Sequence, residues 1–298
     1  MSVLLALTGL ASAGDVLWYT GHSSLISTLG HTRFDAAMTT AGSNGVDELT
    51  SWPADISDYR MLVLAVNAES FSEAEVSDLS DYLAEGGLLV LVGEVANSYF
   101  SDSLSVLNDL LADLGLSSSF SSSAIYDSDC GWSATVTKSS HSLTSGFSSL
   151  SYAYSGEVNV GSSGVKLLEG YSGQALVAYE DRVVLAADAN IFDDSCTLIS
   201  GNTAFFTNLY SGVCTAPDAD EDGDGYIASA CGGEDCNDFD ELINPQTLWY
   251  YDADADGYGD ADLSIMECQA PLEFVANASD CDDKDGSTVF YTWYADND

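Results

Sequence analysis

Two stretches near the end of the chain carry carboxylates at a spacing that suits cation chemistry. Asp220-Glu-Asp222-Gly-Asp224-Gly225-Tyr226 and Asp252-Ala-Asp254-Ala-Asp256-Gly257-Tyr258 are two copies of D-x-D-x-D-G-Y. Carboxylates at places one, three and five turn toward one point. Glycine at place six allows the sharp turn that brings the backbone carbonyl of Tyr226 or Tyr258 onto the same ion. Each copy runs on to an acidic knot, Asp235-Cys236-Asn-Asp238-Phe-Asp240 in the first and Asp280-Cys281-Asp-Asp283-Lys-Asp285 in the second. Hard oxygen donors at high negative charge, with no need for histidine or thiolate, point to Ca²⁺. Place twelve, where an EF-hand has a bidentate glutamate, holds Cys231 and Leu263. The knots are therefore the expected donors that close each site, with Asp260 and Asp262 adding to the second.

Other chemistry has thinner support. His22 follows the first apolar run, and Glu94 follows another, so both are expected at the carboxyl end of a sheet, where open α/β folds bind ligands. A general acid–base pair His22/Glu94 is the conceivable catalytic arrangement, against a solvated loop histidine as the simpler reading. His141 reads as a local capping residue. There is no G-x-S-x-G elbow, no G-x-G-x-x-G and no Walker loop. Cys130 lies in the acidic Asp127-Ser-Asp-Cys-Gly131, which raises rather than lowers a thiol pKa.

The 298 residues hold 48 Asp and Glu against 6 Lys and Arg, a formal charge of −42. Six scattered cations supply no phosphate-neutralising surface, so neither nucleic acid nor an anionic membrane surface is the expected partner. A hydrophobic content of 46% is enough for a core. The charge is concentrated at the end: residues 218–298 hold 23 acids against Lys284 alone, a net of −22. Such a segment repels itself unless cations bind, and one so rich in Asp and Gly buries too little apolar surface to fold unaided. Trp249-Tyr-Tyr-Asp252 recurs as Trp293-Tyr-Ala-Asp296, a period of 44 residues, and the third copy stops after its second aspartate.

The elements that must position these groups differ between the two parts. Asp15–Thr20, Met61–Val66 and Leu88–Val92 are continuous apolar runs. Ser72–Ala84 is an amphipathic helix with Ser72 and Glu75 as capping box, and Leu104–Leu114 and Asn202–Tyr210 are further helices. A helix over 23–30 and a strand over 34–39 complete the first half. Strands are expected at 134–137, 158–160, 166–168, 175–179 and 183–187. Apolar strands alternating with helices mean an α/β three-layer sandwich with a mostly parallel sheet. The organisation expected is a signal-peptide remnant over 1–13, an α/β domain over 14–215 and acidic calcium-binding repeats over 216–298.

Val3–Leu10 followed by Ala11-Ser-Ala13 has the form of a secretory signal, and no apolar run is long enough to span a membrane. Seven cysteines fit an oxidising compartment. Local bridges Cys231–Cys236 and Cys268–Cys281 are expected in the tail. The helix between Cys196 and Cys214 holds them about 15 Å apart, which favours Cys130–Cys196 and leaves Cys214 free or paired outside the chain.

The order of strands and helices, with Ser140-His-Ser-Leu-Thr-Ser-Gly146, Arg182-Val-Val-Leu-Ala-Ala-Asp188 and Asn202-Thr-Ala-Phe-Phe-Thr-Asn208, resembles bacterial glutamine-amidotransferase-like domains. That resemblance implies a flavodoxin-like sandwich. Active members carry a nucleophilic cysteine on a strand-to-helix elbow; here the chain has no cysteine before Cys130, and the strand continues through Gly93-Glu94-Val95. The resemblance therefore implies the fold without the activity. The tail, with Ile243-Asn244-Pro245 after the first knot, resembles bacterial metal-binding motif repeats of the MopE type and, more distantly, thrombospondin type-3 repeats. The second copy has Gly286-Ser-Thr288 in place of Ile-Asn-Pro. The expectation is a secreted or surface-attached, non-catalytic protein whose calcium-stiffened repeats carry an α/β domain that binds a ligand or partner. The alternatives are a hydrolase using His22 and Glu94, and an acidic, salt-adapted spacer without specific metal.

Overall fold

The computed structural model describes residues 15–26, 30–95, 99–123, 130, 132–138, 140–196, 200–212, 220, 222–227, 233–237 and 240–280. The chain divides into two units, Met1–Asp218 and Ala219–Asp298. The expected signal segment lies outside the described residues.

In the first unit the elements run β1 (Val16–Tyr19), α1 (Thr32–Ala41), β2 (Val46–Leu49), β3 (Met61–Ala65), α2 (Glu73–Ala84), β4 (Leu88–Val92), α3 (Ser101–Asp113), β5 (Ser119–Phe120) and β6 (Trp132–Val136). They continue with β7 (Ser149–Tyr152), β8 (Val158–Asn159), β9 (Val165–Glu169), β10 (Ala175–Glu180), β11 (Val183–Ala186) and α4 (Ser200–Gly212). Nine strands form one sheet in the order β2-β1-β3-β4-β11-β10-β9-β6-β7. The pairings from β2 to β11 are parallel and those from β11 to β7 antiparallel, so only β10 and β6 run against the rest. The fold is α/β with a large, mostly parallel sheet.

Both faces of that sheet are covered, which is why its strands read as unbroken apolar runs. Leu17, Leu62, Leu64, Leu89 and Leu91 point to one side and pack with Leu79 and Leu83 of α2 and Leu107 and Leu111 of α3. Trp18 points to the other, against Phe34 of α1 and Phe192, while Phe34 meets Phe206 of α4. The capping box of α2 is present: Glu75 N–H donates to Ser72 Oγ at 3.3 Å and Ser72 N–H to Glu75 Oε2 at 2.7 Å.

Residues 34–39 are helical, not a strand. Phe34, Ala37 and Met38 fall on one buried face at helical spacing, and Gly42, at φ 103°, closes the helix in the left-handed region. The second strand is instead β2, a polar edge strand without an apolar run to announce it. The described part of 23–30 is turns around Ser23–Ile26, not helix; His22 and Ser23 have φ of 51° and 52°, which breaks helical continuation.

In the second unit β12 (Leu248–Tyr251) pairs antiparallel with β13 (Ser264–Met266) and β14 (Phe274–Val275). Tyr251 packs edge-on against Phe274. Among the described residues these strands form the one sheet of the second unit.

Candidate metal centre

In each Asp loop the side-chain oxygens at places one, three and five of the motif gather at one point. One carboxylate oxygen each from Asp220, Asp222 and Asp224 lies within 4.8 Å of the others, and the same holds for Asp252, Asp254 and Asp256. The backbone produces this convergence. Gly223 and Gly225 have φ of 78° and 92°; Ala255 and Gly257, at the same places of the second copy, have 63° and 90°. Two left-handed residues per loop coil the chain inward, and glycine takes that conformation without the penalty an L side chain meets.

The carboxylates are oriented by the loop's own amides. Asp224 N–H donates to Asp222 Oδ1 at 3.0 Å and Tyr226 N–H to Asp224 Oδ1 at 2.8 Å. In the second loop Asp256 N–H donates to Asp254 Oδ1 at 3.3 Å, Tyr258 N–H to Asp256 Oδ1 at 2.9 Å, and Asp252 accepts from Ala255 and Gly257. The other oxygens are left over. Asp220 Oδ1, Asp222 Oδ2, Asp254 Oδ2 and Asp256 Oδ2 are buried and have no hydrogen-bond partner. Buried polar atoms are normally satisfied, so these atoms fit a cation that the loop amides cannot replace.

Asp235, from the first knot, lies close enough to the first loop to feel the charges of Asp224 and Asp222, but stands outside the three carboxylates that converge. It is 2% exposed, and its Oδ2 also lacks a partner. Burial, with the charges of Asp224 and Asp222, pushes its carboxyl up to about 6. In the second copy Asp280 is near enough that its charge, after that of Asp256, acts on Asp254, whose carboxyl is raised by desolvation first and by these neighbours next. Asp260 bridges Asp280 through the backbone and caps Asp262 N–H at 2.8 Å. Asp240 is exposed and accepts from Leu242 N–H at 3.1 Å. Asp238, Asp283 and Asp285 lie outside the described residues.

Two residues that the D-x-D-x-D spacing does not mark also join the first loop. Asn244 Nδ2 donates to Asp224 Oδ2 at 2.9 Å, and Glu241 adds to the field that raises Asp222 after burial, Asp224 and Asp220. For Asn244 the signal in the sequence is the Ile243-Asn244-Pro245 motif; Glu241 has none.

The tail disulfide differs from expectation. Cys236 is joined to Cys268, Cα to Cα 5.1 Å, in place of both Cys231–Cys236 and Cys268–Cys281. The paired strands β12 and β13 turn the second copy back on the first and bring Cys236 to a cysteine 32 residues away in sequence. Cys231, Cys281 and Cys214 lie outside the described residues. In the first unit Cys130 is joined to Cys196, at a Cα separation of 4.9 Å.

His22 and Glu94 stand at the carboxyl ends of β1 and β4, with β3 between them, and each is engaged elsewhere. His22 Nδ1 is 2.6 Å from Tyr19 Oη, its Nε2 is 3.4 Å from Glu75 Oε2, and its ring stacks on Phe71. Glu94 is 5% exposed, and its charge acts on Asp188, wholly buried just beyond the neighbouring strand β11. Burial pushes the Glu94 carboxyl up to about 7, against the N–H groups of Val95 and Ala189 that draw it down. Burial and then Glu94 raise Asp188 too, although Ala153 and Asn190 N–H groups each reach it at 2.7 Å. In the sequence Asp188 is only the end of an apolar run; nothing in its spacing announces this pairing. His141 caps locally, accepting from Leu143 N–H at 3.2 Å.

No family model and no curated protein matches the chain. Among solved structures, the N-terminal domain of mmIFT52 is similar at a TM-score of 0.53 and 13% identity, covering 68% of this chain and 98% of that one. A β-galactosidase from the psychrophilic Marinomonas ef1 matches at 0.46 and 17% identity, over 69% of this chain and 30% of that enzyme. A proposed GMP synthase component from Thermoplasma acidophilum matches at 0.39 and 13% identity, over 66% and 92% of the two chains. The first of these shows a shared α/β fold; the other two scores carry no argument. Fold and loops together define a protein with a mostly parallel α/β unit and a second unit that carries two acidic loops.

Proposed function

We propose that the second unit is a calcium-binding repeat region that stiffens on loading and carries a non-catalytic α/β domain, in a secreted or surface-attached protein. The observation that supports this most is the set of buried carboxylate oxygens without partners, Asp220 Oδ1, Asp222 Oδ2 and Asp235 Oδ2 around one loop and Asp254 Oδ2 and Asp256 Oδ2 around the other. Carboxylates crowded in this way repel one another, and a divalent cation ligated by oxygen offsets that repulsion where backbone amides cannot. Asp220, Asp222, Asp224 and Asp235 would hold the first ion, and Asp252, Asp254, Asp256 and Asp280 the second. The resemblance to MopE-type metal-binding repeats agrees with this assignment. Two disulfides agree with an oxidising compartment. The absence of the amidotransferase cysteine, with His22 held by Glu75 rather than Glu94, supports a binding role for the α/β domain over hydrolysis.

Calorimetric titration of the full chain with calcium tests the reading. Saturable uptake of two ions, with a chelator restoring protease sensitivity to the second unit, is expected. Absence of saturable binding at millimolar calcium removes it in favour of an acidic spacer.

A further inference from the structure

The two Asp loops are built alike and held differently. Loop 252–258 leaves directly from β12, and backbone hydrogen bonds secure its surroundings. Asp252 N–H donates to Glu273 C=O at 2.8 Å, Gly259 N–H to Asn277 C=O at 2.7 Å, and Asp280 N–H to Gly259 C=O at 3.3 Å. Asp280, assigned to its ion in the reading above, thus belongs to the same framework as the loop. Loop 220–226 has no strand beside it among the described residues. Asp235, assigned to its ion in the reading above, is buried with Oδ2 unpartnered, and its N–H donates to Ile227 C=O at 3.0 Å.

The next residue, Cys236, is where the first loop gains an anchor. Its disulfide partner Cys268 follows Glu267, which is pinned from both sides: Glu267 N–H donates to Thr247 C=O at 3.2 Å, and its C=O accepts from Trp249 Nε1 at 2.8 Å. A covalent path therefore runs from Asp235, through Cys236 and Cys268, to the strands β12 and β13 that carry the second loop.

We propose that this disulfide makes calcium binding at the first loop depend on the second, so that the two ions bind cooperatively when Cys236–Cys268 is intact and independently when it is reduced. The proposal rests on the calcium reading above. Loading the second loop restrains β12 and β13, hence Cys268, hence Asp235. Part of the ordering that closure of the first loop requires is then already met. Linkage makes the effect reciprocal: the first ion tightens the second by the same factor. Once the bridge is cut, Asp235 is ordered at the first ion's own expense.

The test is calcium titration by calorimetry on the full chain and three variants. Asp254→Asn leaves the first loop as the working site, Asp222→Asn leaves the second, and Cys236→Ser/Cys268→Ser removes the bridge. In the oxidised chain Asp254→Asn is expected to weaken the first site about ten-fold, and Asp222→Asn to weaken the second equally, within the range usual for coupled sites. In the double-serine background Asp254→Asn leaves the first site's affinity unchanged. Should that chain misfold, mild reduction and alkylation of the wild type replaces it, because Cys268 is exposed whereas Cys196 is fully buried. An equal loss with and without the bridge, no loss with it, or peptide mapping that joins Cys236 to Cys231 overturns the proposal. A wild-type chain that takes up no calcium removes the underlying reading instead, a result distinct from uncoupled sites.

Discussion

Ionising Glu94 should destabilise the α/β unit, and the size of the effect follows from its surroundings. Glu94 and Asp188 end adjacent parallel strands, whose last paired residues are Val92 and Ala186, and both side chains are buried. Burial raises Asp188 as well, although the Ala153 and Asn190 N–H groups at 2.7 Å draw it down; Glu94 is the group that a substitution can isolate. Its carboxyl moves from 4.5 to about 7 on folding, chiefly through burial. At about 1.4 kcal/mol per pKa unit, that rise is worth roughly 3 kcal/mol. The sign is set by the folded carboxyl binding its proton more tightly than the unfolded one. Stability contributed by Glu94 is complete below about pH 4.5, declines as pH rises through about 7, and stays low beyond. Glu94→Gln keeps an oxygen for the Val95 and Ala189 N–H groups and cannot ionise. Urea unfolding of the full chain at fixed calcium and salt, at pH 5 and pH 8.5, is the assay. The variant should exceed the wild type by under about 1 kcal/mol at the lower pH and by about 3 kcal/mol at the higher, a comparison that cancels the general repulsion of so acidic a chain. Equal stabilities at pH 8.5 would show that the two carboxyls do not share a buried site.

Three further outcomes follow from single contacts. Ser72→Ala removes the capping oxygen from Glu75 N–H and should cost about 1 kcal/mol in urea unfolding; no change would mean that water replaces the cap. Replacing Cys130 and Cys196 with serine opens a covalent loop of 66 residues and should lower stability by about 4 kcal/mol in the same assay on the chain-entropy account. Gly225 has φ of 92°, and nothing lies within 4 Å of the place an alanine methyl group would take, so the cost of Gly225→Ala is backbone strain alone, about 1–2 kcal/mol. Calcium affinity at the first loop should fall about ten-fold, read by calorimetry, and unchanged affinity would refute a role for that turn.

What the amino-acid order determined by itself is local. Met61–Ala65 and Leu88–Val92 are apolar at every position because both faces are covered, and Ser72 and Glu75 announce the start of α2. The D-x-D-x-D-G-Y spacing encodes its own convergence, since the amides that orient each carboxylate lie within a few residues of it. Residues 32–41 show where local reading fails: Phe34-Asp-Ala-Ala-Met carries the apolar spacing of a helix, yet a regular alternation of strand and helix would place a strand there. Three features required the tertiary structure. Asp235 reaches the first loop across intervening chain, Cys236 finds Cys268 only because β12 and β13 fold the second copy back, and Asp188 meets Glu94 only because β11 inserts beside β4, from which it is far removed in sequence. Spacing reports contacts within a turn or a strand; strand order and chain reversal decide which distant side chains share a site, and no residue pattern along the chain records that order.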